Sequence, residues 1–377
     1  MLERPHSGYR AVLVQLGSST ERDAALNELR DLVRSADAQI VGEITGRLDR
    51  PHPAHFIGTG KLEELLQLKS YLNADWIVIN HTLSGIQERN LEKQLDCRVS
   101  DRVGLILDIF ARRARSAEGK LQVELAQMQH LSTRLVRGWT HLERQKGGIG
   151  NRGGPGEKQI ELDRRMIETR IFRLKSQLET LEKQRATQSR ARKRNRVPTL
   201  ALVGYTNAGK STLFNRLTHA NVYAADQLFA TLDTTARQWS LQPGVQVILS
   251  DTVGFIRDLP HSLVDAFKAT LKEATYADLL LHVIDSAHPE VEAQIQAVEE
   301  VLEQIGAAKI PHIKLYNKID QLHISPRIDR DDTGLPDSVF LSALSGDGLT
   351  DGLLAQAITE HLTHMGWSLK APDWSTQ

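Results

Sequence analysis

Cysteine is almost absent from this chain: Cys97 stands alone among 377 residues. One thiol cannot form an internal disulfide or supply a cysteine-based zinc cluster. Long apolar runs are missing too, and nothing approaches the ~20 residues needed to span a bilayer. The opening "MLERPHSGYR" has no apolar signal-peptide core. Net charge is zero, with 47 basic and 47 acidic residues, so bulk charge predicts no polyanion partner. Together these features predict a cytoplasmic protein with no membrane span. With 40% hydrophobic and 25% charged residues in 377, the chain has material for two or three globular domains.

Charge is nevertheless unevenly placed. From Glu161 to Arg196 twelve basic residues face five acidic ones, with the excess concentrated in "SRARKRNR". Mixed charges on a helix often make only a solvated face, but a one-signed cluster ending a long helix favours a phosphate-backbone contact. Just before this region lies "GGIGNRGGPGE", residues 147 to 157. It contains G-x-G-x-x-G, the dinucleotide-binding pattern, which works only between a strand and a helix. Here Leu121, Leu125, Met128, Leu131 and Leu135 precede it at helical spacing. Ile167, Ile171, Leu174, Leu178 and Leu181 follow at four-three-four-three, the seam of paired helices. The glycines therefore join two helical arms. At 1.5 Å per residue, arms of about 25 residues would carry the tip roughly 35–40 Å.

The first 111 residues alternate strand and helix patterns, "RAVLVQL", "ERDAALNELRDLVRSA", "QIVGEI", "KLEELLQLKSYL", "DWIVIN" and "IQERNLEKQL". That predicts a small α/β domain with a largely parallel sheet. "GTGK" at 58–61 lacks phosphate-loop spacing and reads as a glycine turn near a helix start. His52 and His55 sit beside prolines without acidic or thiol partners, and read as loop residues rather than metal ligands. The expected organisation is an N-terminal α/β domain (1–111), a helical hairpin with glycine-rich tip and basic tether (112–197), a second α/β domain (198–365) and a short tail (366–377).

The second α/β domain carries the chemistry. "TLALVGYTNAGKST" is an apolar strand running into G-x-x-x-x-G-K-S, with a helix pattern after it. Glycines at 204 and 209 let backbone N–H groups converge on phosphate oxygens. Lys210 supplies positive charge to the β- and γ-phosphates, and Ser211 a hydroxyl to Mg²⁺. Tyr205, Thr206, Asn207, Ala208 and Thr212 complete the loop. "VILSDTVGF" follows, with Asp251 placed to reach Mg²⁺ through water and Gly254 to offer an N–H to the γ-phosphate; Thr252 and Val253 lie between them. "IKLYNKID" ends a further strand. Guanine presents two adjacent donors that one carboxylate accepts together, a role for Asp320, while Asn317 holds the loop and the Lys318 stem covers the ring. "FLSAL" adds Ser342, Ala343 and Leu344, with a backbone N–H for guanine O6. Four motifs in this order, each after an apolar strand, predict a GTPase domain with a mixed, mostly parallel sheet, binding GTP or GDP.

These motifs, with "DRVGLILDIFARRARSAEGKLQVELAQ", "ERQKGGIGNRGGPGE", "AADQLFATLDTTAR" and "DTVGFIRDLP", resemble the HflX family of translation-factor-related GTPases, relatives of Obg and Era. The resemblance covers nearly the whole chain. It implies binding to the large ribosomal subunit and its rRNA, with GTP favouring dissociation of stalled or idle ribosomes. It also implies a monomer that associates with ribosomes or peripherally with membrane. In the switch, Phe229, Ala230 and a threonine are expected to close on the nucleotide. The family pattern T-L-D-P-T reads here Thr231-Leu232-Asp233-Thr234-Thr235, so the proline is missing. That leaves Thr231 or Thr235 as the magnesium-sensing residue; Thr231 is preferred from its place after "LFA". The expected catalytic set is Lys210, Thr231 and Gly254, with Ser211, Thr231 and Asp251 as metal ligands. Leu344 stands where the family often has lysine, and the tail is short. Phe255 occupies the position where many GTPases carry a water-orienting glutamine, which predicts slow intrinsic hydrolysis. Asn207 makes K⁺ a candidate second cation. The competing reading is a GTP- or ATP-dependent RNA-remodelling or RNA-modification factor, for which Cys97 is the sole thiol.

Overall fold

The structure is a computed structural model describing residues 8–17, 19–48, 50–137, 155–194, 197–220, 227–229, 231–233, 235–257, 263 and 274–369. The chain divides into two compact units, residues 1–112 with 120–177, and residues 113–119 with 178–377.

In the first unit, strands β1 (Arg10–Leu16), β2 (Gln39–Gly46), β3 (Trp76–Ile79) and β4 (Arg98–Asp101) form a sheet in the order β2-β1-β3-β4. Every pairing is parallel. Apolar runs such as Ala11–Leu16 and Trp76–Ile79 are buried throughout, as parallel strands covered on both faces must be. Helices α1 (Ser19–Ser35), α2 (Thr59–Leu72), α3 (Gly85–Leu95) and α4 (Arg102–Arg113) connect or follow them. The glycine turn of "GTGK" becomes the start of α2, with Gly58 as its cap. Helix α3 opens with a reciprocal box: Gln87 N–H donates to Ser84 Oγ, while Ser84 N–H donates to Gln87 Oε1. His52 and His55 stack on each other with ring centres 5.5 Å apart, and among the described residues no group of three or more His, Cys, Asp or Glu side chains is placed to hold a metal.

The hairpin arms are α5 (Ala117–Arg137) and α6 (Pro155–Arg194). The expected seam on α6 is visible in its burial: Leu174 and Leu178 are buried, and Ile167, Ile171 and Leu181 are partly covered. On α5 the covered stripe is broader than the leucine spacing predicts, because Val123 and Ala126 are buried beside Leu125. Arg170 of α6 pairs with Glu124 of α5, a surface contact of small energetic weight. Nearer the sheet, Arg134 of α5 reaches both Glu88 and the buried Asp101 at the end of β4. The glycine tip from 147 to 154, including Asn151 and Arg152, lies outside the described residues, as do the basic side chains from Arg190 to Arg196.

The second unit holds a seven-stranded sheet. Its strands are β5 (Thr199–Gly204), β6 (Thr235–Gln242), β7 (Val245–Asp251), β8 (Leu279–Asp285), β9 (His312–Asn317), β10 (Arg327–Arg330) and β11 (Pro336–Phe340), in the order β10-β11-β9-β8-β5-β7-β6. The five central strands are parallel; β6 and β10 join antiparallel at the two edges. Helices α7 (Lys210–Thr218), α8 (Val291–Gln304), α9 (Ile319–Leu322) and α10 (Leu353–His364) belong to this unit. Phe214 of α7, Leu202 of β5, Leu281 of β8 and Ile358 of α10 share its core. The carboxyl ends of β5, β7, β8 and β9 place Gly204, Asp251, Asp285 and Asn317 along one edge of the sheet, where ligands of open α/β sheets bind.

The hairpin packing generates one stability expectation. Leu174 is fully buried, so Leu174→Ala should cost about 2–5 kcal/mol through lost burial and a residual cavity. Met166→Ala, at an exposed position of the same helix, should stay within ~0.5 kcal/mol. Amide exchange across α5 and α6 separates them; equal effects would mean that the seam does not hold the arms.

Candidate functional site

The phosphate loop is built by one strand, one tight turn and one helix. Strand β5 delivers Gly204 with φ 150°, a geometry in which a Cβ would overlap the Val283 carbonyl of β8. Gly209 caps α7 in the left-handed region with φ 96°, against the Asn317 amide. Lys210, the first residue of α7, turns back under the loop, and its Nζ donates to the carbonyls of Gly204 (2.9 Å) and Tyr205 (2.6 Å). Burial pushes its ammonium down to about 8, partly opposed by the charge of Asp251.

The two hydroxyls expected at a metal converge on one carboxylate. Ser211 Oγ and Thr231 Oγ1 are 2.7 Å apart, and they donate to Asp251 Oδ2 at 2.8 and 3.0 Å. Burial pushes the Asp251 carboxyl up, and the opposing charge of Lys210 with the two hydroxyl bonds pulls it back. Asp251 Oδ1 and Thr206 Oγ1 are buried without a hydrogen-bond partner in the described protein. A cavity of about 50 Å³ lies here, lined by Thr206, Asn207, Gly209, Lys210, Ser211, Thr212, Gln227, Phe229, Thr231, Thr252 and Gly254. The structure thus brings Thr231 to Ser211 and Asp251. Thr235 instead begins edge strand β6, paired in register with Asp251. Ala230 lies outside the described residues, as does Thr234.

Gly254 approaches Thr206 and Lys210 so closely that a Cβ would strike the Thr206 backbone. Phe255 is buried, and its backbone is stitched to the loop: its N–H donates to Gly204 O (3.1 Å) and its carbonyl accepts from Thr206 N–H (2.7 Å). The ring is therefore a core anchor of the switch. Thr252 Oγ1 donates to Leu202 O at 2.6 Å, fixing the turn after β7.

On the base side, Asn317 bridges two loops. Its amide donates to Ala208 O (2.8 Å), and its oxygen accepts from Ala343 N–H (2.8 Å). Ser342 Oγ donates to Asp320 Oδ1 at 2.6 Å, holding the carboxylate that would read guanine. Lys318 adopts φ 66° and pairs with Asp285 at 2.6 Å. Leu344 is largely exposed, but its carbonyl is used. Arg216, on the last turn of α7, donates to the carbonyls of Ala343 (3.1 Å), Leu344 (2.6 Å) and Ser345 (2.8 Å). Arg216, Asp285 and Gln227 were not legible as site residues: Arg216 and Asp285 lie in no motif, and Gln227, although inside "AADQLFATLDTTAR", had no role assigned. Asp285, closing an apolar strand run, and Gln227, two residues before Phe229, carried the available signal. Cys97 is half-buried in the first unit, and burial pushes its thiol up to about 11, which suits a packing residue and not a nucleophile.

Three expectations follow from this geometry. Lys210 meets phosphate as an ammonium, so binding GTP above pH ~8 should take up a proton, near zero at pH 7 and approaching one at about pH 9. Calorimetry in buffers of different ionisation heat reads this directly, and absence of uptake at pH 9 would mean that burial does not depress the lysine. For the nucleotide-free fold the sign is opposite to an ordinary ion pair. A depressed lysine favours the neutral form, so its contribution to stability rises between pH 8 and 10.5. Arg216→Ala should release the guanine loop and weaken GTP binding by about 0.5–1.5 kcal/mol, roughly two- to tenfold. Arg216→Lys should not restore it, because one ammonium cannot hold three carbonyls in the fork geometry; unchanged affinity in both variants would sink this role.

Comparison with known proteins agrees with the motif order. Residues 23–111 match the family described as GTP-binding GTPase N-terminal, 113–192 its middle region, and 199–318 the family described as 50S ribosome-binding GTPase. The chain is 54% identical to GTPase HflX of Escherichia coli over 365 residues, 96% of this chain and 85% of the relative. It is 51% identical to GTPase HflX of Caldanaerobacter subterraneus, covering 94% and 80%. Among solved structures, a GTP-binding protein from Sulfolobus solfataricus in complex with GDP aligns over 94% of this chain and 99% of its own, with 25% identity and a TM-score of 0.50. Motifs, strand-end geometry and these identities agree, and the chain belongs to the HflX family of GTPases, which hydrolyse GTP.

Proposed function

We propose that this protein binds the large ribosomal subunit and uses GTP to dissociate stalled or idle ribosomes. The observation that carries the reading is the match of residues 199–318 to a ribosome-binding GTPase family, joined in one chain to a hairpin with a basic second arm. The glycine-rich tip, with Asn151 and Arg152, is the part assigned to rRNA. Close backbone approach to a crowded surface is what glycine permits.

Lys210, Thr231 and Gly254 are assigned to catalysis, and the remaining loop and guanine-motif residues to nucleotide binding. Ser211, Thr231 and Asp251 would hold Mg²⁺. The donor set is all oxygen, and the unpartnered Asp251 Oδ1 and the two hydroxyls fit a hard cation that one carboxylate and substrate phosphates bind together. When bound, the metal neutralises charge on the β- and γ-phosphates. Lys210 adds a second positive group from beneath the loop, and Gly254 supplies an N–H at the γ-phosphate. The Phe255 ring, packed in the core, can neither donate to nor accept from an attacking water. The chain on this reading hydrolyses GTP slowly until a partner orders the switch. The thiol chemistry of an RNA-modifying enzyme has no support in the packed, high-pKa Cys97.

Large ribosomal subunits are expected to accelerate single-turnover hydrolysis at least about tenfold, a barrier reduction of ~1.4 kcal/mol. The measurement is made at saturating protein, with and without subunits, in potassium and then sodium; a potassium requirement lost in Asn207→Ala would support a second cation at that residue. Replacing residues 147–157 by a short Ser-Gly turn should preserve GTP binding and abolish ribosome dissociation. Fast hydrolysis by the isolated protein, or full dissociating activity without the tip, would overturn the proposal.

A further inference from the structure

The short segment Arg113–Gly119 clusters with the GTPase unit, and it grips the switch on both sides of Thr231. Before Thr231, Arg113 Nη2 donates to Oε1 of Gln227, a residue that lines the phosphate cavity. After it, Asp233 Oδ2 accepts the N–H groups of Arg115 and Ser116, each at 2.8 Å, and Oδ1 accepts the Ser116 hydroxyl at 2.5 Å. Ser116 Oγ in turn accepts from Gly119 N–H at 2.8 Å, the N-cap bond of helix α5. The approach needs glycine at 119, where a Cβ would overlap the Asp233 carboxylate.

One carboxylate therefore closes the start of α5 while standing two residues from the hydroxyl that meets Ser211 and Asp251. Two residues of chain span at most ~7 Å, and the residue between them, Leu232, is buried. A shift of Thr231 toward or away from the phosphates has little slack in which to die out before it reaches Asp233. The negative charge also lies at the helix end that favours an anion.

We propose that Asp233 is a positioning residue that couples the nucleotide state of the switch to the first turn of α5. It sets where the Thr231 hydroxyl stands, and it releases or holds the Ser116 cap according to whether Thr231 is engaged at the phosphates. Linkage makes the coupling reciprocal: whatever holds the start of α5 also biases Thr231. The inference rests on GTP binding by the chain and is independent of the ribosome.

The test uses the full chain without ribosomes. Amide exchange at residues 115–121 is followed with Mg²⁺ and either GDP or a non-hydrolysable GTP analogue, alongside steady-state hydrolysis. The wild-type protein is expected to show at least about a tenfold difference in exchange between the two nucleotides at Ser116 and Gly119. Asp233→Asn, which keeps the shape but replaces an acceptor by a donor, should reduce that difference to under about twofold. It should change kcat at least about fivefold with KM within about threefold. Ser116→Ala should behave likewise, and Ser116→Thr, which keeps the hydroxyl, should retain the wild-type difference. This pair carries the test if Asp233→Asn does not fold. Identical exchange in both nucleotides for the wild type would overturn the coupling. So would variants that lose thermal stability yet keep the nucleotide-dependent difference and kcat, since Asp233 and Ser116 would then serve only the fold. Failure of the wild type to bind either nucleotide would instead fault the GTPase assignment itself, and is read separately by titration.

Discussion

The GTPase site depends on keeping a lysine ammonium out of water beneath the phosphate loop. Burying an unpaired charge would cost several kcal/mol, and the fold offsets that cost with two backbone carbonyls and the nearby Asp251. Those carbonyls are in place only because Gly204 leaves β5 at an angle closed to other residues, pressed against β8. Asp251 is in place only because β7 ends beside β5 in parallel register, with Leu202 opposite Asp251. Sheet order, the glycine and the lysine are thus one constraint.

From that anchor the site divides into a braced side and a movable side. The base side is tied by bonds that do not involve the switch. Asn317 links the phosphate loop to the guanine loop, Arg216 holds three successive carbonyls, and Ser342 orients Asp320. The switch side is held by hydroxyl contacts of Thr231 and by polar contacts to the segment before α5. Hydroxyls that share one carboxylate can exchange partners at small cost, whereas a buried amide bridge cannot lose one without leaving orphaned groups. The side assigned to the base is therefore braced in advance, and the switch side is left adjustable.

How much could be read beforehand varied with the range of the interaction. The phosphate loop, D-T-V-G and N-K-I-D were legible because each is a local spacing that follows an apolar run, and the structure puts every one at a strand's carboxyl end. The misleading G-x-G-x-x-G at 148–153 was dismissed on the helical periodicity around it, and two helices do flank that stretch. Edge strands β6 and β10 were not foreseen. They are half-exposed, and an edge strand needs no continuous apolar run to announce it.

What the sequence alone could assign was candidate chemistry: a phosphate loop, a carboxylate suited to guanine, and two helical segments either side of a glycine-rich stretch. Only tertiary structure placed Thr231 at the hydroxyl–carboxylate cluster and Thr235 in β6. It alone joined Arg216 to carbonyls 127 to 129 residues away, and Asp233 to Ser116 across 117 residues. The reason is physical. A motif's spacing follows from covalent geometry and local backbone preference, whereas a contact across a hundred residues exists only once sheet order has brought the two segments together, and no local pattern encodes it.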